Sequence, residues 1–128
     1  MAGRQMKAVG PKVSFPISPA VVAGDLFFST CLPVDLQTGN FVGGAIDVQT
    51  RQVLANLESL LKEAGGAMSD VAQITFHLID SKDVTGMNKV YAEFFAKEPY
   101  PSRATLIVRE LVGPAGMRVS ATAQACLK

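Results

Sequence analysis

Arg103 and Thr105 stand two residues apart in Tyr100-Pro101-Ser102-Arg103-Ala104-Thr105-Leu106-Ile107-Val108, where a guanidinium opens an otherwise apolar run. Arginine stays ionised at any relevant pH, and its planar fork suits a carboxylate or a phosphate. Pro101 bars a helix and leaves an extended entry to a strand. With a period of two, Arg103, Thr105 and Ile107 share one strand face, and Ala104, Leu106 and Val108 share the other. A polar pair on one side fits an anchor for an anionic ligand. It also fits a solvated or salt-bridged arginine at a strand end. Other reactive side chains are few. Cys31 and Cys126 form no CxxC, and His77 is the single histidine, so no zinc set is recognisable. Neither cysteine has an adjacent base to make it a nucleophile, and free thiols are expected rather than a disulfide. No metal or cofactor is implied.

Composition narrows the classes further. The chain has 128 residues, 48% hydrophobic and 18% charged, which predicts one compact domain over residues 1–128. Twelve Lys+Arg against eleven Asp+Glu give a formal charge of +1, with no basic run, so no nucleic-acid partner is expected. The apolar stretches are too short to span a bilayer, and MAGRQMKAVGPK lacks the apolar core of a signal peptide. Membrane association is not expected, and the cytoplasm is the expected location.

Those side chains need elements to position them. PKVSFPISPA, with three prolines in ten residues, reads as an extended lead-in lying as an edge. Ala23-Gly24-Asp25 is a hairpin turn into the buried strand around Leu26-Phe27-Phe28. From about Asp47 to Ala64, Val53, Leu57, Leu60, Leu61 and Ala64 recur at helical spacing, and Gly65-Gly66 terminates the helix. SDVAQITFHLID alternates, with Ala72, Ile74, Phe76 and Leu78 on one face and Gln73, Thr75 and His77 on the other. Ser81 or Asp83 can cap a second helix whose stripe is Val84, Met87, Tyr91, Phe94 and Phe95, ended by Pro99. A strand starts near Arg103, and GPAG turns the chain into a last one, where Val119, Ala121, Ala123 and Ala125 alternate with Arg118, Ser120, Thr122 and Gln124.

The order β-β-α-β-α-β-β predicts an α+β domain with two helices packed on one face of a mixed β-sheet. The other face is expected to carry Gln73, Thr75, His77, Arg103, Thr105, Ser120, Thr122 and Gln124. It is polar yet poor in Lys and Glu, which predicts a homo-oligomer that covers it. A plainly solvated face is the alternative.

SPAVVAGDLFFSTCLPVDLQTG, TRQVLANLESLLKEAG, MNKVYAEFF and YPSRATLIV with GMRVSATAQA span most of the chain. In this order they resemble the RidA/YjgF family of reactive-intermediate imine deaminases, also called the L-PSP endoribonucleases. The resemblance implies a chorismate-mutase-like fold and a homotrimer with a central barrel and a ligand cleft at each subunit interface. It also implies that Arg103 holds a substrate carboxylate, as the arginine of the family's P-x-R strand entry does. Ser29 matches the serine of the family's SGQ, whose next two residues are here Thr30 and Cys31. Asn88 and Tyr91 match helix residues near the cleft, and each also reads as a capping or core group. Thr105 replaces a common cysteine, Ile17 a lead-in tyrosine and Thr122 a last-strand glutamate. His77 is given no role in the family and reads as structural or interfacial.

Hydrolysis of a 2-imino or 2-enamino acid to a 2-keto acid and ammonia needs an anchor for the carboxylate, a proton for the nitrogen and a positioned water. Orientation and proton relay suffice, because such imines already hydrolyse in water. Arg103 is the expected anchor; Ser29, Thr105 and Thr122 are the expected water holders. With no glutamate at Thr122, a non-catalytic trimer that binds a small carboxylate is the rival. A ribonuclease would need a phosphate-binding basic cleft that is absent from the sequence.

Overall fold

The computed structural model describes residues 5–127. In chain order its elements are β1 (Met6–Val9), β2 (Ala20–Ala23), β3 (Leu26–Cys31), α1 (Ile46–Glu63), β4 (Val71–Leu78), α2 (Val84–Phe94), β5 (Ser102–Ile107) and β6 (Val119–Cys126). Short 3-10 turns, Met68–Asp70 and Ser81–Asp83, lead into β4 and α2. The six strands form one sheet in the order β1-β2-β3-β6-β4-β5. Only β4 and β5 run parallel, because the α2 crossover connects them; the other pairings are antiparallel.

The α+β class with a mixed sheet and two helices is as the patterning predicts, with one strand more. That strand, β1, comes from Met6–Val9 and not from the proline-rich residues after it, which stay irregular. Four residues are too few for a period to be read. Gly10, at φ 96°, turns the chain off β1; a Cβ there would lie 2.7 Å from Leu60 Cδ2, so the close approach to α1 requires glycine. Gly24, at φ 64°, makes the turn between β2 and β3.

Both helices cover one sheet face. Val53, Leu54, Leu57, Leu60 and Leu61 of α1 and Met87 and Val90 of α2 are buried against Phe27, Ile74, Phe76, Leu78 and Val119 of the sheet. Each such Leu or Phe contributes about 1.5–3 kcal/mol relative to exposure, which holds the helices on this side. Polar groups stitch the rim. Gln49, fully buried, donates through Nε2 to the Gly44 and Gly116 carbonyls, and its Oε1 accepts the Arg118 N–H. Asp83 does not cap α2 through its side chain, as the spacing allowed; its carboxylate receives Arg118 Nε and Nη2 at 3.0 and 2.8 Å. The two cysteines are free, Cys31 buried and Cys126 exposed.

The register corrects two face assignments. A bulge between Val71 and Gln73 shifts the phase of β4, so Val71 is buried in place of Ala72. Arg103 and Thr105 pair with Ile74 and Phe76, so they lie on the helix-covered face and not with Thr75, His77 and Thr122. Strand β5 is at the sheet edge, where the helix layer thins. An arginine there lays its stem under α2 and carries its charge to the margin.

Candidate functional site

The edge of β5 and the adjoining face of α2 build one group of candidate residues. The guanidinium carbon of Arg103 lies 4.6 Å from the Tyr91 ring centroid and 6.0 Å from that of Phe76. Tyr91 is itself held by Phe95, with centroids 4.7 Å apart, and edge-on by Phe76 at 5.8 Å. These rings fix the arginine without neutralising it. Among the described residues the ion pairs are Arg51 with Glu93 and Arg118 with Asp83, and Arg103 has no acidic partner. Two residues along, the Thr105 hydroxyl is buried with no hydrogen-bond partner. A cation and a hydroxyl thus share one strand face two residues apart, both without a polar partner. Burial pushes the Tyr91 phenol above its usual range, and the charge of Arg103 partly opposes that shift. The phenol is therefore protonated at neutral pH. Asn88, three residues before Tyr91 on α2, is exposed on the same helix.

A second group gathers on β3 and β6. Ser29 Oγ donates to the Pro19 carbonyl at 3.0 Å and lies 3.2 Å from Cys31 Sγ. Its hydroxyl is thereby committed to fixing the lead-in. Burial pushes the Cys31 thiol up to about 11, against a weaker opposing effect from Ser29, so it is a neutral packing group at physiological pH. Thr122 lies on the opposite, open sheet face. With Ser18, Val21, Phe28, Thr30 and Gln124 it lines a shallow cavity of ≈ 190 Å³ whose floor reaches Ser29. An adjoining groove of ≈ 250 Å³ runs from Pro19 and Ser18 past Ile17 to Val13 and Lys12.

One chain does not bring the two groups together. Strands β6 and β4 stand between β3 and β5, three inter-strand steps, roughly 14 Å at ordinary spacing. Arg103, Thr105, Tyr91 and Asn88 form one half; Ile17 and Thr122 lie with the other, where the Ser29 and Cys31 side chains turn inward to the helix-covered face. Thr105 and Thr122 are not neighbours either, because they flank β4 on opposite faces. Sequence reasoning missed Phe76, which reads as core and is also part of the arginine's aromatic floor. It missed Gln49 as well, although a glutamine one turn before Val53 on the apolar stripe of α1 is a usable signal of a buried polar clasp. Among the described residues, no three His, Cys, Asp or Glu side chains are grouped to hold a metal ion, and no helix is long and apolar enough to cross a membrane.

Residues 8–125 match the Endoribonuclease L-PSP family. The chain belongs to this family, the RidA/YjgF group. It is 43% identical over 102 residues to a RutC family protein of Pyrococcus horikoshii, covering 79% of this chain and 80% of that protein. It is 37% identical over 102 residues to the chloroplastic Reactive Intermediate Deaminase A of Arabidopsis thaliana, covering 79% of this chain and 54% of that one. The structure of RidA from an Antarctic Psychrobacter superposes with a TM-score of 0.80 at 30% identity, covering 91% of this chain and 93% of that chain. A Rid-family protein of Yersinia pestis superposes at 0.87 and 26% identity, covering 95% and 99%.

Proposed function

We propose that this member of the family hydrolyses reactive 2-imino or 2-enamino acids to 2-keto acids and ammonia, in a cleft completed by a second copy of the chain. The observation that carries the reading is Arg103, a guanidinium oriented by Tyr91 and Phe76 yet left without an acid, beside the unpartnered Thr105 hydroxyl. A small carboxylate supplies the counter-charge that Arg103 lacks. The named activity of the Arabidopsis relative supports the same class.

The two half-sites lie too far apart to hold one small substrate within a chain, so assembly juxtaposes Arg103 of one copy with the Ser29 and Thr122 half of another. The open sheet face supports self-association: Leu26 and Phe28 are 49% and 40% exposed beside Thr30, Thr122 and Gln124, with no carboxylate or ammonium in the strand pairs among them. We propose the closed symmetric form of this assembly to be a homotrimer.

In the reaction, Arg103 binds the substrate carboxylate and fixes the imine carbon. A water held by hydroxyls and backbone carbonyls adds its oxygen to that carbon, giving a carbinolamine. The nitrogen takes a proton and leaves as ammonia as the C=O bond forms. No strong acid is needed, because solvent water can relay the proton once the geometry is set. No cofactor enters this scheme.

An amino-acid oxidase that generates imino acids, with semicarbazide trapping what remains, tests the proposal. Faster loss of trappable imine, abolished in Arg103→Gln, is expected. No acceleration with any imino acid retires the enzyme reading. Shifts at Arg103 on adding 2-keto acids, without acceleration, would instead favour the non-catalytic binder, which Thr122 in place of the family glutamate favours.

A further inference from the structure

We propose that a cavity at the C-terminal end of α2, apart from both half-sites, binds a small monoanion with an apolar body, such as an aryl or branched-chain carboxylate. The cavity, ≈ 270 Å³, is lined by Met68, Ser69, Phe94, Phe95, Lys97 and Pro99. It follows from the path of the chain. Helix α2 stops at Phe94, Pro99 cannot continue it, and the chain then descends to the sheet edge at Ser102, while the Met68–Asp70 turn leads into β4. The gap between these two segments, at the N-terminal ends of the parallel strands β4 and β5, is the cavity. Ligand cavities usually measure roughly 300–1,000 Å³, so this one has room for a single ring or one branched chain.

Its walls are a thioether, two phenyl rings and a proline ring, surfaces against which an apolar body gains by burial. Lys97 is the ionised group in the lining, and Ser69 supplies a hydroxyl. Among the described residues the ion pairs are Arg51 with Glu93 and Arg118 with Asp83, so Lys97 has no acidic partner. The acids closest in sequence are placed otherwise: Asp70 accepts the Ala67 N–H, and Glu98 is not part of the lining. This sets the cavity apart from two others. The one beside Val48 contains Arg51, held in two hydrogen bonds by Glu93, and the one beside Ile79 contains Arg118, held likewise by Asp83. Their cations are already matched, whereas Lys97 is not. A carboxylate at Lys97, with its apolar body against Met68 and Phe95, meets the charge and the burial together. The last-turn carbonyls of α2 disfavour an anion among them, so the charge belongs on the lysine side and the apolar end against the helix. Phe95 also stacks on Tyr91, at 4.7 Å between centroids, yet neither Tyr91 nor Arg103 lines the cavity. Phe95 therefore stands between this site and the guanidinium.

The test titrates the full chain with phenylacetate and 3-methylbutanoate and follows the Met68 methyl and the Ser69 and Lys97 amides by NMR. Saturable shifts are expected, with Kd of roughly 1–10 mM for ligands of this size. Acetate, which lacks the apolar body, should bind more than about tenfold more weakly than phenylacetate. Benzyl alcohol, which lacks the charge, should bind about two- to fivefold more weakly, and benzylamine should not saturate. Lys97→Gln should weaken phenylacetate by the same two- to fivefold and Lys97→Arg should restore it; the position is exposed, so both variants keep the fold. Arg103→Gln should leave the shifts in place, which separates this site from the proposed carboxylate anchor. Shifts that are lost in Arg103→Gln overturn the assignment. So do equal affinities for phenylacetate and benzyl alcohol, an unchanged Kd in Lys97→Gln, or no saturation at Met68. The readout is binding, so failure of the imine-hydrolase reading leaves this site standing, and failure of this site leaves that reading in place.

Discussion

Replacing Tyr91 with leucine should weaken the hold on a carboxylate substrate while leaving the chemical step nearly intact. The ring lies 4.6 Å from the Arg103 guanidinium carbon and carries most of the contact that orients it, since Phe76 is more distant at 6.0 Å. A cation–π contact at a half-exposed position is worth about 1 kcal/mol. If that energy goes into presetting the fork, its loss raises KM about fivefold. The value of kcat should hold, because the carboxylate anchor serves ground state and transition state alike. Leucine also removes the ring that packs on Phe76 and Phe95, at about 1–3 kcal/mol of stability, so rates belong well below the unfolding transition. Tyr91→Phe is the control: among the described residues the phenol makes no hydrogen bond, and the ring face is kept. KM for a leucine-derived imine, measured by semicarbazide competition, should order as parent and Tyr91→Phe together, with Tyr91→Leu above both. Equal losses in the two variants would place the role in the hydroxyl. A fall in kcat at constant KM in Tyr91→Leu would refute the anchor-orienting argument outright.

The other expectations are more local. Thr122→Glu cannot form an ion pair with Arg103 of its own chain, because the two lie on opposite sheet faces; it should raise imine turnover only if assembly brings Thr122 to another copy's Arg103, and an unchanged rate in a folded, assembled variant rejects that pairing. Cys31 should ignore a disulfide thiol reagent at pH 8 in the native protein while Cys126 reacts, so one equivalent before unfolding and two after is the expected count. The Cys31 thiol is raised in the folded state from 9.0 to about 11, so its contribution is complete below about pH 9 and is lost as pH rises toward 11. The difference from Cys31→Ala in urea titrations should shrink over that window by on the order of 2 to 3 kcal/mol, and a pH-independent difference contradicts the burial argument. Gln49→Leu strands the Gly44 and Gly116 carbonyls and the Arg118 N–H, and should cost about 3 kcal/mol as a lowered urea midpoint at unchanged slope.

Helix α1 was legible because its apolar positions repeat over five turns and Gly65-Gly66 closes them; the structure moves its ends by one residue. The α2 stripe and the β4 and β6 alternations carried the same kind of signal, and together with the order of elements they fix the class. Edge pieces were less readable. Strand β1 exists because β2 offers a free edge to pair with, and nothing local in Met-Lys-Ala-Val announces that. The bulge at Ala72 likewise depends on how β6 lies alongside β4, so no pattern within β4 reveals it.

The site shows why chemistry was easier to name than to place. A period of two says that Arg103 and Thr105 share a face, and that is correct, but it does not say which face of the sheet that is. The polar character of the pair argued for the open side. The register answers otherwise: Ile74 and Phe76 sit across from them, and the cost of polar groups on the helix side is lowered by the edge position of β5 and by the rings of Tyr91 and Phe76. The same register separates Arg103 from Ser29 by two intervening strands. Residue types therefore identify a carboxylate anchor and a hydroxyl-lined cavity one by one, whereas strand order decides whether they belong to one pocket. Here it divides them between the two sides of a chain, and that division makes a second copy a chemical requirement of the proposed reaction as well as a means of covering Leu26 and Phe28.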